Sequence, residues 1–159
     1  MICDSTPIIF LSKINKLELF KELFTSIIIP ESVKEETLIE NKPGYEAIKK
    51  AIEEKWIKIA NPKKRLELNL GKGETDAISL AKEKSETLII DDAYAIKAAK
   101  VYDINTIRTT TIIFMALKRK IINSEEAIKL LNKLIEEGYY IKPAEYAAIL
   151  NKLQGLVKL

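Results

Sequence analysis

Histidine is absent from this chain of 159 residues, and cysteine occurs once. No serine or cysteine nucleophile can therefore be paired with a histidine base, and no ordinary zinc site of cysteine and histidine ligands can be built. A lone Cys3 also excludes an internal disulfide. Together with the lack of a signal-peptide pattern, this leads us to expect a cytoplasmic protein. Long apolar runs are missing too: none approaches the ~18 residues of a membrane span, so no membrane association is expected. Internal repeats and low-complexity linkers are absent, and the length suits one domain with a real core.

What the chain does have is hydrophobic residues (47%) and charged residues (31%) in the balance of a soluble globular protein. Lysine, glutamate and isoleucine are abundant and glutamine occurs once, a bias also met in thermophilic proteins. Without histidine, the chemistry left is that of oxygen ligands, and clustered carboxylates are what Mg²⁺ and Mn²⁺ prefer. A net charge of only +3 makes the whole surface a weak polyanion binder. Local basic clusters at Pro62 to Arg65 (PKKR) and Lys118 to Lys120 (KRK), with Arg108, are either phosphate-tracking groups or ordinary solvated surface.

Short apolar runs at Met1 to Cys3, Ser26 to Ile29, Thr87 to Ile90 and Asn105 to Ile107 read as strands. Ile57 to Ala60 is either a further strand or an extended lead into Asn61 and Pro62. Helical patterns fall at about 7–13, 16–24, 31–40, 44–55, 73–84, 93–101, 110–119, 124–137 and 143–153. Strands alternating with helices predict an α/β fold, three layers with a mainly parallel central sheet. Ligands of such sheets gather beyond the carboxyl ends of the strands.

Acids stand at those ends. In MICDSTPII, Asp4 follows the first strand, with Thr6 as an expected helix cap and Pro7 in the first turn. In LIIDDAYAI the run Leu88 to Ile90 stops on Asp91 and Asp92; one can cap the next helix, which leaves the other unexplained. In IIIPESVKEE, Glu35 and Glu36 cannot share a helix face; Glu36 follows Val33 by three residues and leans toward the sheet, whereas Glu35 aligns with Ser32. In LGKGETDAISLA, Gly71 and Gly73 permit a tight entry, and Glu74 heads the apolar face of Ala77, Ile78 and Ala81. Asp76 projects about 200° away, toward Ser79 and Glu83.

The order of these motifs, DSTPIIFLSKI, IIIPESVKEE, LGKGETDAISLA and LIIDDAYAIKAA, resembles the PIN-domain ribonuclease superfamily, in its compact prokaryotic branch related to VapC-type toxins. The resemblance covers roughly residues 1–123. It implies a single PIN-like domain over 1–159, with a C-terminal helical extension at about 124–159. It implies a metal-dependent endoribonuclease that hydrolyses phosphodiester bonds of single-stranded RNA with Mg²⁺ or Mn²⁺, leaving a 3′-hydroxyl and a 5′-phosphate. Carried over residue by residue, the catalytic acids are Asp4, Glu36, Glu74, Asp91 and Asp92, with Asp4, Glu36, Glu74 and Asp92 as metal ligands and Ser5 or Thr6 as supports. Many relatives carry a threonine two residues before the late acid. Ile90 stands there relative to Asp92, the better match, with Asp91 adjoining it. Where the third motif reads Asp-Ala in relatives, Asp76 and Ala77 are the match rather than Glu74. TIRTTTIIFMALKRKII lacks the glycines that relatives often show.

Two other strand-end acid chemistries fit less well. A phospho-accepting receiver places its paired acids near the N-terminus, and a DxD phosphatase needs an acid where Thr6 stands. The remaining alternative is a catalytically inactive PIN-like RNA- or protein-binding module. Toxin-like members imply a small antitoxin partner and a homodimer. Of two C-terminal helical stripes, Ala127, Leu130, Leu131 and Leu134 are expected in the core. Tyr146, Ile149, Leu150 and Leu153 are expected either there or against a neighbour or inhibitory peptide.

Overall fold

The computed structural model describes residues 1–157. Five short strands form one sheet: β1 (Ile2–Cys3), β2 (Ile27–Ile29), β3 (Ile57–Ile59), β4 (Leu88–Ile89) and β5 (Thr106–Ile107). Their order is β3-β2-β1-β4-β5, and every pairing is parallel. The expected α/β architecture is therefore present. Ile2 lies opposite both Ile28 and Leu88, and Cys3 opposite Ile89, so β1 is central and buried on both sides. From β1 the chain winds outward one way to β2 and β3, then crosses to β4 and β5 on the other side. Such a reversal opens a crevice beyond the carboxyl ends of β1 and β4.

The residues from Ile57 form strand β3 because Ile27, Ile28 and Ile29 offer a parallel edge on which Ile57, Lys58 and Ile59 pair. Helix α1 (Ser5–Lys13) begins directly after Asp4, which is its N-cap. The expectation of a cap at Thr6 is corrected here: the backbone turns helical one residue past the strand, leaving Thr6 inside the helix and Pro7 still in a first turn where a missing N–H costs nothing. Helices α2 (Leu19–Phe24), α3 (Glu31–Thr37), α4 (Tyr45–Glu53), α5 (Lys72–Lys84) and α6 (Ala93–Val101) follow between the strands. Core residues Ile2, Leu88 and Ile90 pack with Ala77, Ile78 and Leu80 of α5 and with Ala95 and Ala99 of α6. Small residues on both helices allow them to approach the sheet closely.

The segment between β3 and α5 has no regular structure, yet Leu66, Leu68 and Leu70 pack on this same core. These elements make up one compact unit, Met1–Thr109; a second begins at Thr110. The second unit holds most of α7 (Thr109–Lys118), α8 (Ser124–Glu136) and α9 (Pro143–Val157). Asn123 caps α8 by accepting from the Glu126 N–H. Ala127, Leu130, Leu131 and Leu134 are buried, and α8 packs against α9, whose Ile149 and Leu153 are buried as well. Tyr146 donates its hydroxyl proton to Asn132 across this pair at 2.7 Å. Among the described residues no helix is long and apolar enough to cross a membrane.

Candidate metal centre

Asp4 ends the central strand, where its N–H is held by the Ile89 carbonyl of the neighbouring strand. The residue is only 2% exposed, and its Oδ1 is buried without a hydrogen-bond donor. An orphaned carboxylate oxygen at that depth strongly disfavours the charged form. Burial accordingly raises the Asp4 pKa to about 7; the Ser5 N–H opposes the shift, and the charges of Glu74, Glu36 and Asp91 add to it. The same acids appear from the other side of the cluster. Glu74 is raised by its own partial burial and then by Asp92 and Glu36.

Each of these side chains is delivered by a different element. Glu36 lies on the last turn of α3, whose start is fixed by Pro30 directly after β2. Its carboxylate occupies the space a side chain on Gly73 would need: a Cβ there would stand 2.9 Å from Oε2 and closer still to Oε1. Glu74 is the next residue, in the first turn of α5. Glycine at position 73 is thus what lets the acid of α3 meet the head of α5.

The paired acids after β4 have separate duties. Asp92 is the N-cap of α6 and accepts from the Ala95 N–H through Oδ1. Asp91 turns to the segment after β5, accepting from the Thr109 N–H at 3.0 Å and the Thr109 hydroxyl at 2.6 Å, with the Arg108 Nε 3.7 Å away. Asp92 remains exposed, while the Asp91 carboxylate is held by protein donors.

Asp76 stands apart from this group. It is 3% exposed and bonded to the Arg65 guanidinium through both oxygens, at 2.5 and 3.2 Å, and to the Ser32 hydroxyl at 2.6 Å. Asp76 lies on the side of Ser79 and Glu83, away from Asp4, as its spacing on the helix implies, but that side is covered as well. Nearly all of α5 from Gly73 to Ala81 is buried, so no single face is apolar. Glu74 is only partly covered and Asp76 is enclosed. Arg65 of the PKKR cluster is turned to this carboxylate, and Arg108 toward Asp91. Glu35 is exposed on α3 at the rim of a cavity it lines with Ser32, Arg65 and Asp76, and Lys118 to Lys120 are exposed on the second unit.

Whether the acids suit a divalent cation can be tested on Asp4. A buried oxygen with no donor, ringed by acids that raise its proton affinity, is the environment a hard cation would relieve. The carboxylates do not form a finished coordination shell: among the described residues, no three acids are grouped to hold an ion.

Among curated proteins none matches the chain. A solved structure of a PilT N-terminus domain protein from the hyperthermophilic archaeon Sulfolobus solfataricus has the same fold, with a TM-score of 0.52 and 22% identity over 74% of this chain and 94% of that one. A PIN-domain family model matches residues 1–155, and PIN domains are typically nucleases that use divalent metals. With the parallel sheet and the acids at its carboxyl edge, that match means that the chain belongs to the PIN-domain family.

Proposed function

We propose that this protein is a Mg²⁺- or Mn²⁺-dependent endoribonuclease that hydrolyses phosphodiester bonds of single-stranded RNA. The observation that carries the reading is Asp4: a buried acid with an orphaned oxygen, at the strand crossing point, among Glu36, Glu74 and Asp91. Asp4, Glu36, Glu74 and Asp92 would hold the cation. When bound, such an ion supplies an activated water and offsets charge growing on the phosphate during in-line attack.

The chain's own residues do the rest. Burial raises the Asp4 carboxyl pKa toward neutrality, so it would release its proton when it holds a cation. Glu36 and Glu74 would bring two carboxylates from separate helices to the cation, and Asp92 would add a third. Asp91, fixed by Thr109, holds the end of β4 to the segment after β5. With no histidine in the chain, the acid and base work of a 2′,3′-cyclic phosphate route has no histidine to perform it. A toxin role with a small antitoxin partner and a homodimeric state is the biological setting we propose, on the strength of the motif resemblance.

The test is cleavage of a labelled single-stranded RNA by wild type and Asp4→Asn, with Mg²⁺ or Mn²⁺ and with chelator. Loss of cleavage in both the variant and the chelated sample supports the reading. Metal-independent cleavage, or full activity of Asp4→Asn, sinks it. Copurification of a small protein from the native host, with activity gained on its removal, would test the toxin setting.

A further inference from the structure

Three polar residues of α5, Asp76, Ser79 and Glu83, fall at i, i+3 and i+7 and so share one stripe of the helix. All three hold the irregular segment that follows β3. Glu83 accepts from the Lys63 N–H at 2.7 Å, the Ser79 hydroxyl accepts from the Leu66 N–H at 2.9 Å, and Asp76 takes the Arg65 guanidinium. At its start, the same segment uses Asn61 Oδ1 to accept from the Glu31 N–H at the head of α3. Residues 61–66 are therefore a strap, tied to α5 along one side and to α3 at its beginning.

Asp76 is the one member of the stripe that also bonds α3 directly, through Ser32. Ser32 and Glu36 are one helical turn apart on α3, and Gly73 and Asp76 nearly one turn apart on α5. The two helices thus meet at two successive levels, Ser32 on Asp76 and Glu36 on Gly73. A shift of α3 at the first level must carry Glu36 with it at the second.

We propose that Ser32, Asp76 and Arg65 form a positioning clasp that sets the gap between the Glu36 and Glu74 carboxylates, and hence the affinity of the site for a divalent cation. Arg65 neutralises and orients the buried Asp76, and Asp76 in turn holds Ser32. In this proposal the three act through the placement of Glu36 and not as ligands of the cation. The inference rests on the metal-centre reading above for Glu36 and Glu74.

The experiment is calorimetric titration of the full chain with Mn²⁺, using Ser32→Ala and the exposed-side variant Arg65→Ala, so that a folding failure of Asp76→Asn cannot obscure the result. Thermal melts of each apo protein confirm that the fold is intact. Expected is a loss of Mn²⁺ affinity of about 10-fold or more for each variant, the size typical of residues behind metal ligands. Ser32→Thr, which keeps the hydroxyl, should restore most of it. Because the clasp acts through Glu36, Ser32→Ala should add little once Glu36→Gln is in place. Unchanged affinity in Ser32→Ala and Arg65→Ala, or full additivity with Glu36→Gln, overturns the clasp while leaving the metal centre standing. Absence of Mn²⁺ binding in wild type overturns the metal centre, and the clasp's role falls with it.

Discussion

Glu36 reaches across from α3 into the space beside Gly73 that any other residue would fill with its own side chain. A Gly73→Ala substitution therefore separates function from stability. Alanine is favoured over glycine in a helix by up to about 0.5–1 kcal/mol, and the three nearest heavy atoms in its way all belong to the carboxyl end of Glu36, a flexible side chain. The variant should melt at or above the wild-type temperature, yet lose Mn²⁺ affinity and cleavage by about 10-fold or more as the Glu36 carboxylate is pushed aside. Wild-type cleavage in Gly73→Ala would remove Glu36 from the site.

Asp4 makes the apo protein's stability depend on pH in an unusual direction for an acid. Its folded pKa of about 7 lies above the ordinary carboxyl value, so between roughly pH 4 and 7 the native state binds more protons than the unfolded one. Stability from this group is full below the unfolded pKa and falls as pH rises through 7, by an amount on the order of 4 kcal/mol. In chelator, Asp4→Asn should consequently be more stable than wild type at pH 8, with the gap closing toward pH 4. Denaturant melts at the two pH values measure this. An equal gap at both would show that Asp4 is not protonated in the native state.

The same protonation opposes metal binding, so Mn²⁺ affinity should climb from pH 6 toward pH 8 and proton release should accompany binding below pH 7. Titrations in two buffers of different ionisation enthalpy detect the protons. Affinity flat across that range would exclude a protonated Asp4 from the coordination.

Asp91 and Asp92 should part company under mutation. Thr109→Val deletes a hydrogen bond to a nearly buried charge and is expected to cost about 1.5–3 kcal/mol of stability. Asp92→Asn keeps an equally good helix cap and should melt like wild type, while weakening Mn²⁺ binding. A large stability loss in Asp92→Asn with unchanged binding would reverse the two roles.

Much of the scaffold was legible in the sequence because the apolar runs are short and the helical periods clean. Each of the four strands read from apolar runs overlaps an observed one, and α6 falls on the expected residues. Pro30 and the two glycines around Lys72 marked where α3 and α5 begin, which is what places Glu36 beside Glu74. The cap at Asp4, one residue past the strand, is hidden because a strand of two residues runs straight into its helix, leaving no turn for the usual cap signal. The enclosure of Asp76 is hidden in the sequence for a different reason. Helix-face reasoning assumes one solvated side, but α5 is enclosed by the sheet, by α3 and by the strap. The signal lies in the polar spacing of Asp76, Ser79 and Glu83: hydrogen-bonding side chains in register on a largely buried helix match donors on the strap, and the backbone N–H groups of Lys63 in the PKKR segment and Leu66 just after it supply two of them. Arg65 turning inward follows from that, and periodicity alone could not reveal it.

Cys3 is the residue before Asp4, fully enclosed on the central strand, with a thiol pKa pushed up by burial and by the charges of Asp4 and Asp91. A thiol held protonated and out of solvent cannot react with a disulfide reagent until β1 leaves the sheet. As the chain's single sulfhydryl, it is a built-in clock for that event. Its labelling rate reads out how often the innermost strand opens, and any ligand that settles on the neighbouring acids should slow the clock by mass action.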